Sequence, residues 1–502
     1  MRSDCVIVRI MRVVVLGGGL AGMVAARALA QRGVEVELLE RSARLGGKAG
    51  SDARDGRLVE HGYHVFPRWY PNVRRLVSEI GTELIDFDRY HYLSRGQFPR
   101  VVTVRGPSDL GAIWHNVRRG ILPWYHTVLF FGFTLDMISR PLSDKRLLDR
   151  VSQIGLMRQA WYVTDEVAEL NQENLLKASA IPAYDMSAMT AKKIGGFWLK
   201  EASPFLSVLP GDLQTTFIAP LEAKVREAGV RVRFGAEVAR LDVDGGRVRS
   251  VTLTDGEVVT ADAFVLAVPF EVARRFVDGP VFALDPSLGN MHQLEAQPMA
   301  SLHVRLKKKL EGIPREHVFF HGGDYGLSFI DVAPLWERAP GDPPTELSFI
   351  ASNYAPLKSL STEDATKALL DEVRAYLPFA DEDVHDVVLN SNVEVPLFIN
   401  TIGAWPNRPE ARTKIPNLYV AGDHAKNEVD LACMEGAVSA SLAAARALLE
   451  DASLPELPGP ESPRTWPRPL LVAGRVAMAP MLAVCTVVAR IAGALRSERP
   501  TT

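Results

Sequence analysis

The chain has 502 residues, enough for two or more domains, and 57 Lys+Arg against 60 Asp+Glu leave a net charge of −3. So balanced a charge argues against a nucleic-acid partner held by a basic surface. The three cysteines, Cys5, Cys433 and Cys485, are far apart with no C-x-x-C, which indicates neither a disulfide framework nor a zinc site and suits a reducing cytoplasm.

The opening residues, MRSDCVIVRI, are too short and too interrupted for a signal peptide, and Met11 stands beside Met1 as a candidate start. Arg12–Leu16 is an apolar run suited to a buried parallel strand, and it leads straight into Gly17-Gly18-Gly19-Leu20-Ala21-Gly22, a G-x-G-x-x-G. Alanine-rich sequence of helical spacing follows to Gln31, and Gly33 acts as its stop. A second buried run, Glu35–Leu39, ends at Glu40, 18 residues beyond Gly22. Gly17 allows the tight turn, Gly19 lets backbone approach a pyrophosphate, and Gly22 lets helix and strand pack closely. The helix start offers free N–H groups and a positive dipole end to phosphate. An acid at Glu40 can accept both ribose hydroxyls and disfavours a 2′-phosphate. The alternative is a purely structural glycine turn. Against it, strand, helix, second strand and acid all stand at dinucleotide spacing.

Arg44-Leu45-Gly46-Gly47-Lys48 then supplies a second glycine pair. With it the segment resembles the extended fingerprint of the flavin amine oxidase and carotenoid desaturase superfamily, where the pair and its basic neighbours lie along the FAD pyrophosphate. The resemblance implies FAD, held by Gly17, Gly19, Leu20, Ala21, Gly22, Glu40, Arg41, Gly46, Gly47 and Lys48.

Residues 58–80 contain Glu60-His61-Gly62-Tyr63-His64-Val65-Phe66 and then Tyr70-Pro71-Asn72. This order is similar to that of plant and cyanobacterial-type phytoene and ζ-carotene desaturases, and it implies that Gly62, Tyr63 and His64 lie against the flavin. His61 and His64 are the candidates here for acid–base work, His64 being carried as catalytic; a packed, hydrogen-bonded histidine is the alternative for each. Residues 121–138 are the most hydrophobic internal run, flanked by Arg118, Arg119, Arg140, Lys145 and Arg146. A buried core helix is one reading. A helix dipping into one leaflet is the other, favoured here because of the tail, while length and Asp136 argue against a span. Residues 150–205 read as helices, suited equally to the lid of an apolar tunnel and to an ordinary helical subdomain.

From Gly211 a helix runs to about Ala228, and β runs separated by the turn Asp244-Gly245-Gly246-Arg247 follow. Residues 263–269 form a buried strand ending in the A-x-P seen in this superfamily, and the resemblance puts the adenine against backbone at Glu237 and Val238. Residues 291–395 alternate like the antiparallel sheet of a substrate domain, in runs 301–306, 327–332 and 346–352. By the same resemblance, a desaturase arginine falls on Lys308, which puts any role needing a planar guanidinium in doubt; a solvated strand end is the simpler reading.

Asn417-Leu418-Tyr419-Val420-Ala421-Gly422-Asp423 is a strand ending in Gly-Asp, and Met434-Glu435-Gly436-Ala437 opens a small-residue helix. In flavin enzymes of this class the Gly-Asp carboxylate binds the ribityl or pyrophosphate region, and the helix directs its N-terminus at the pyrimidine ring. The resemblance therefore adds Gly422, Asp423, Met434 and Ala437 to the cofactor set. The stretch 421–440 is similar to the desaturase form almost position by position. Amine oxidases carry an aromatic residue where this chain has Cys433, and a lysine at about Ser301; both departures count against amine oxidation. Asp430 stands where desaturases have an aromatic or apolar residue, so it is either a surface loop acid or a catalytic group facing a polar or cationic feature of the substrate.

After a Pro-rich linker, residues 470–495 are apolar but broken by Arg475, Pro480 and Arg490, leaving 476–489 as the stretch without a charge. Six arginines against the single acid Glu498 from Pro463 onward read as an in-plane anchor on anionic lipid. A helix packed back onto the domain is the alternative, and spanning is disfavoured because both arginines would have to snorkel.

The expected architecture is α/β: a discontinuous FAD-binding Rossmann-type domain (12–85, 206–290, 396–450) plus an α+β substrate domain. That domain comprises a mainly helical part (86–205) and an antiparallel sheet (291–395); a linker (451–469) and an apolar basic segment (470–496) follow. The resemblance implies an FAD-dependent oxidoreductase that desaturates an apolar isoprenoid, passing a hydride from an allylic C–H to the flavin, with membrane quinone as a possible acceptor. It would work in the cytoplasm at a membrane surface, with no nucleic acid and no metal. Open alternatives are a dehydroxylase of hydroxysqualene type on the same scaffold, a flavin amine oxidase, and a flavin-dependent isomerase or non-catalytic flavin protein.

Overall fold

The computed structural model describes residues 10–54, 57–141, 145–277 and 279–497. Cys5, the choice between Met1 and Met11, and Glu498 fall outside these residues, as do the side chains of Lys145 and Arg146. Helices that build the site and its flank are α1 (Leu20–Ala30), α2 (Trp124–Ser139), α3 (Asp165–Ser179), α4 (Ala188–Lys200), α5 (Met434–Asp451) and α6 (Arg468–Ser497).

Five strands from three separate stretches of chain make one all-parallel sheet, in the order Leu418–Val420, Ala263–Leu266, Arg12–Leu16, Glu35–Leu39, Arg231–Arg233. Its central strands are apolar throughout because helices cover one face and a ribbon of three short strands the other. Helix α1 lies directly on the sheet. A Cβ at Gly22 would stand 1.8 Å from the Gly17 carbonyl oxygen, so only glycine permits that approach. The discontinuous Rossmann-type domain is as expected.

A seven-stranded sheet forms the second body, ordered Val384–Ser391, Ala300–Leu306, Thr345–Ala351, Leu327–Asp331, Val318–His321, Arg89–Ser94, Val102–Arg105. Two differences from expectation stand out. Residues 89–105 are strands of this sheet, although they had been assigned to the helical part, and the pairing of Val318–His321 with Arg89–Ser94 is parallel, so the sheet is mixed. Four-to-six-residue strands rich in Arg, His and Thr carry too little alternation to register alone. Tyr92 and Leu93 become core residues only against their neighbours.

Helix α6 is continuous through Pro480, whose ring lies on the exposed side. It runs antiparallel along α2. Arg468 meets the Ser139 carbonyl, Arg475 Nε lies 3.0 Å from Asp136 Oδ1, and Leu482 sits over Gly132. One face of the tail thus packs back onto the domain. Asp136 and Arg475, each read as an obstacle to spanning a membrane, form an ion pair that Arg140 shares at 3.0 Å from Asp136 Oδ2.

Candidate active site

A cavity of about 1080 Å³ starts at the carboxyl ends of the parallel strands and continues beneath the mixed sheet between α2, α3 and α4. This volume is at or above the upper end of the usual 300–1,000 Å³ range for ligand sites, which suits a cofactor and a substrate together.

Its first part is lined by backbone. Gly17 (φ +103°), Gly46 (φ +121°) and Gly47 (φ +56°) occupy conformations that side chains disfavour. A Cβ on Gly47 would come within 3.1 Å of Gly19 Cα, so the two glycine loops meet main chain to main chain. Gly19 caps α1 without a side-chain bond, leaving first-turn N–H groups for an anion. The Glu40 carboxylate accepts from Gly18 N–H and Ser42 N–H, both at 2.7 Å, and ties both loop ends to the strand. Lys48 donates to the Pro396 carbonyl at 2.5 Å and lies 3.4 Å from Glu271. Leu20, Ala21, Arg41 and Val238 also line the cavity, whereas Gly22 serves beneath it.

On the opposite wall Gly422 (φ +114°) turns the chain so that Asp423 reaches the cavity. Burial raises the Asp423 pKa, with Lys48 and Arg408 opposing the shift. Helix α5 directs its N-terminus here; its cap is Cys433, whose Sγ accepts from Gly436 N–H at 3.4 Å, and Met434 and Ala437 line the wall. Two helix N-termini directed at the cavity, a glycine cradle and an acid at the end of the second strand suit FAD.

Gly62, Tyr63 and His64 form the junction. A Cβ at Gly62 would press to 3.0 Å from Ile350 Cγ1, so this glycine makes room for the mixed sheet as well as lining the cavity. The Tyr63 hydroxyl bonds His317 Nε2 and lies 2.8 Å from Ser328 Oγ, and burial holds the phenol protonated. His64 Nδ1 is 3.4 Å from Glu60 Oε2, while Glu60 Oε1 accepts from Leu213 N–H at 2.7 Å. His61 faces Asp52 at 3.3 Å, and burial lowers its pKa.

Beyond the junction the cavity becomes an apolar arm. Phe205 stacks on Trp198 (4.5 Å between centroids) and on Tyr90 (4.6 Å), and Phe130, Phe131 and Ile194 close the sides. Polar groups in the arm pair with one another: Tyr92 with Asn174, Gln153 with Asn171 (3.3 Å), Lys177 with Glu173. Gln153 Oε1 and His317 Nδ1 keep no hydrogen-bond partner among the described residues, so the arm is mainly rather than wholly apolar.

Asp430 is a correction. It is neither a surface loop acid nor a cavity group: it is buried, ion-paired with the fully buried Arg408 and further bonded to Thr190 (3.1 Å) and Asn400 (3.2 Å). Arg408 also donates to the carbonyls of Asp423, His424 and Ala425, so the pair braces the Gly-Asp turn from behind. Lys308 pairs with Asp383 (2.8 Å) at an exposed strand end, away from the cavity. Ser301 is buried behind the junction, its hydroxyl on the Glu60 carbonyl. Cys433 does line the cavity, and burial pushes its thiol up to about 12, so it stays protonated. Sequence reasoning missed His317, Tyr90, Tyr92 and Phe319. Only the weak aromatic alternation of 89–94 pointed toward any of them.

The family of flavin containing amine oxidoreductases matches residues 20–449. The 15-cis-phytoene desaturase (chloroplastic/chromoplastic) of Arabidopsis thaliana is 26% identical over 478 residues, covering 90% of this chain and 82% of that protein. The carotenoid phi-ring synthase of Streptomyces griseus is 26% identical over 494 residues, covering 87% of each. The solved structure of cyclohexylamine oxidase from Brevibacterium oxydans superposes with a TM-score of 0.66 at 18% identity, over 88% of this chain and 99% of that one, a likeness of fold. This chain is therefore an FAD-dependent oxidoreductase that belongs to the flavin containing amine oxidoreductase family.

Proposed function

We propose that the protein desaturates an apolar isoprenoid at a membrane surface. The carrying observation is the largely aromatic and aliphatic arm that continues the glycine cradle, with several of its few polar groups paired to one another. Relatives named for carotenoid chemistry point to the same substrate class. Ser301 and Cys433, where amine oxidation calls for a lysine and an aromatic residue, speak against an amine substrate.

Bound FAD supplies two-electron oxidation, with a membrane quinone as the proposed final acceptor. The chain's own residues do the rest. Trp198, Phe205 and Tyr90 exclude water and hold an extended hydrocarbon in register along the arm. His64, steadied by Glu60, is the imidazole placed between cradle and arm, and we assign it the proton lost from the carbon next to the oxidised one.

Anaerobic titration of the yellow protein with C30 and C40 isoprenoids tests this. Bleaching by a polyene precursor and recovery on quinone are expected. Oxidation of pre-reduced flavin by a hydroxylated isoprenoid would replace desaturation by dehydroxylation, and bleaching by amines alone would overturn the isoprenoid assignment.

A further inference from the structure

Helix α6 has two unlike faces. Toward α2 it buries Leu471, Leu482, Cys485 and Ala489, and small residues set the crossing: a Cβ at Gly132 would meet Leu482 at 2.3 Å, and one at Gly474 would meet Leu135 at 3.2 Å. Away from α2 it carries Val476, Val484, Val487, Ile491 and Leu495, each 56–66% exposed, with Pro480 continuing the same stripe. Spacings of 8, 3, 4 and 4 keep these side chains on one side of a helix. From Val476 to Leu495 the stripe runs about 30 Å along the helix, a long apolar face turned outward.

The charges around it are of one sign. Residues 468–495 contain no acid, Arg468 and Arg490 are exposed, and Arg475 is matched by Asp136 from α2. Arg464 lies just before, its one acidic neighbour being Glu461 at 3.8 Å. By length and composition α6 could cross a bilayer. Its contacts with α2 from Arg468 to Leu482 instead lay it along the flank of the domain. The other side of α2 supplies Phe130, Phe131, Thr134 and Met137 to the cavity, so α2 is one wall between the stripe and the arm.

We propose that α6 is an in-plane lipid-binding helix: its stripe sits among the acyl chains of an anionic leaflet, its arginines meet the headgroups, and α2 lies at the level of the membrane. This deepens the proposed function by naming the bilayer as the surface from which the apolar substrate reaches the arm.

The test is flotation of the full chain with vesicles of equal parts phosphatidylcholine and phosphatidylglycerol. Wild type floats; the variant Val484→Glu/Val487→Glu/Ile491→Glu keeps its FAD and melting temperature but loses floating protein by about tenfold or more. Pure phosphatidylcholine retains less of the wild type. Wild type staying at the bottom of the gradient, or the variant floating as well, overturns the proposal. A lipid-free dimer that the variant converts to monomer also overturns it, because a second copy would then cover the stripe. Flavin bleaching by detergent-dispersed isoprenoid is read separately: floating protein without bleaching refutes the substrate class and leaves docking standing, and the reverse refutes docking alone.

Discussion

Replacing Asp430 separates a bracing role from a catalytic one. Asp430→Ala removes the anion that, among the described residues, is ion-paired with the wholly buried Arg408 guanidinium. It also takes an acceptor from Thr190 and Asn400. Breaking one side of a buried ion pair costs about 3–5 kcal/mol, and part of this remains compensated because three carbonyls still accept from Arg408. Asp430 has φ +55°, so alanine adds backbone strain. A loss of about 4 kcal/mol is expected. At about 2 cal/mol/K per residue this lowers the melting temperature by about 4 °C if the whole chain unfolds together, and by about 8 °C if half of it does. Because the pair braces the Gly-Asp turn, FAD affinity falls as well. Asp430→Asn keeps the shape and most hydrogen bonds and lands between the two, and Arg408→Met/Asp430→Leu recovers part of the loss by removing both charges. Flavin-fluorescence melting and apoprotein reconstitution measure these effects. Turnover of the FAD-loaded fraction should stay within about threefold, a change of less than 1 kcal/mol in the barrier. A hundredfold fall in turnover with unchanged melting and FAD affinity would refute the bracing role and restore Asp430 as a catalytic group.

Glu40→Ala unties Gly18 and Ser42 from the second strand; losing charge-assisted bonds of about 1.5–3 kcal/mol weakens FAD binding by about 10–100-fold. A dissociation constant within twofold of wild type in reconstitution titrations would contradict this. Ile194→Trp fills the arm from α4; turnover of a C40 isoprenoid should collapse while FAD content is kept, and undiminished turnover would mean that substrate does not use the arm. The pH dependence follows from His317 and His424, whose pKa values burial drives from 6.5 to about 3. The unfolded chain takes up these protons first, so stability is full above about pH 6.5 and falls as pH drops toward 3. Each histidine costs about 2 kcal/mol at about pH 5. Melting curves from neutral to mildly acid pH should show this loss, reduced in His317→Gln; the same slope in wild type and variant would remove His317 from the account.

Much of the glycine cradle was legible because its requirements are local. A strand that must turn within one residue, a loop that must approach phosphate, and a helix that must start there each demand glycine at a set place. Gly17, Gly19, Gly46, Gly47 and Gly422 therefore carry the cradle in their order alone, and Glu40 and Asp423 follow as the acids that close it. The same locality made the buried runs 12–16, 35–39 and 263–266 readable as parallel strands.

Charges were not legible in this way, because a buried charge is defined by its partner. Asp430 reads as an isolated loop acid until loop closure brings Arg408 against it, and Asp136 and Arg475 each read as a fault in an apolar segment until α6 lies along α2. Tyr90, Tyr92 and His317 enter the cavity only because two short polar strands join a sheet more than 200 residues further on. Local backbone chemistry determined the shape of the glycine cradle. Which side chains line the cavity, and which merely hold the turn behind it, was decided by long-range packing alone, since burial and charge pairing depend on neighbours that sequence order does not name.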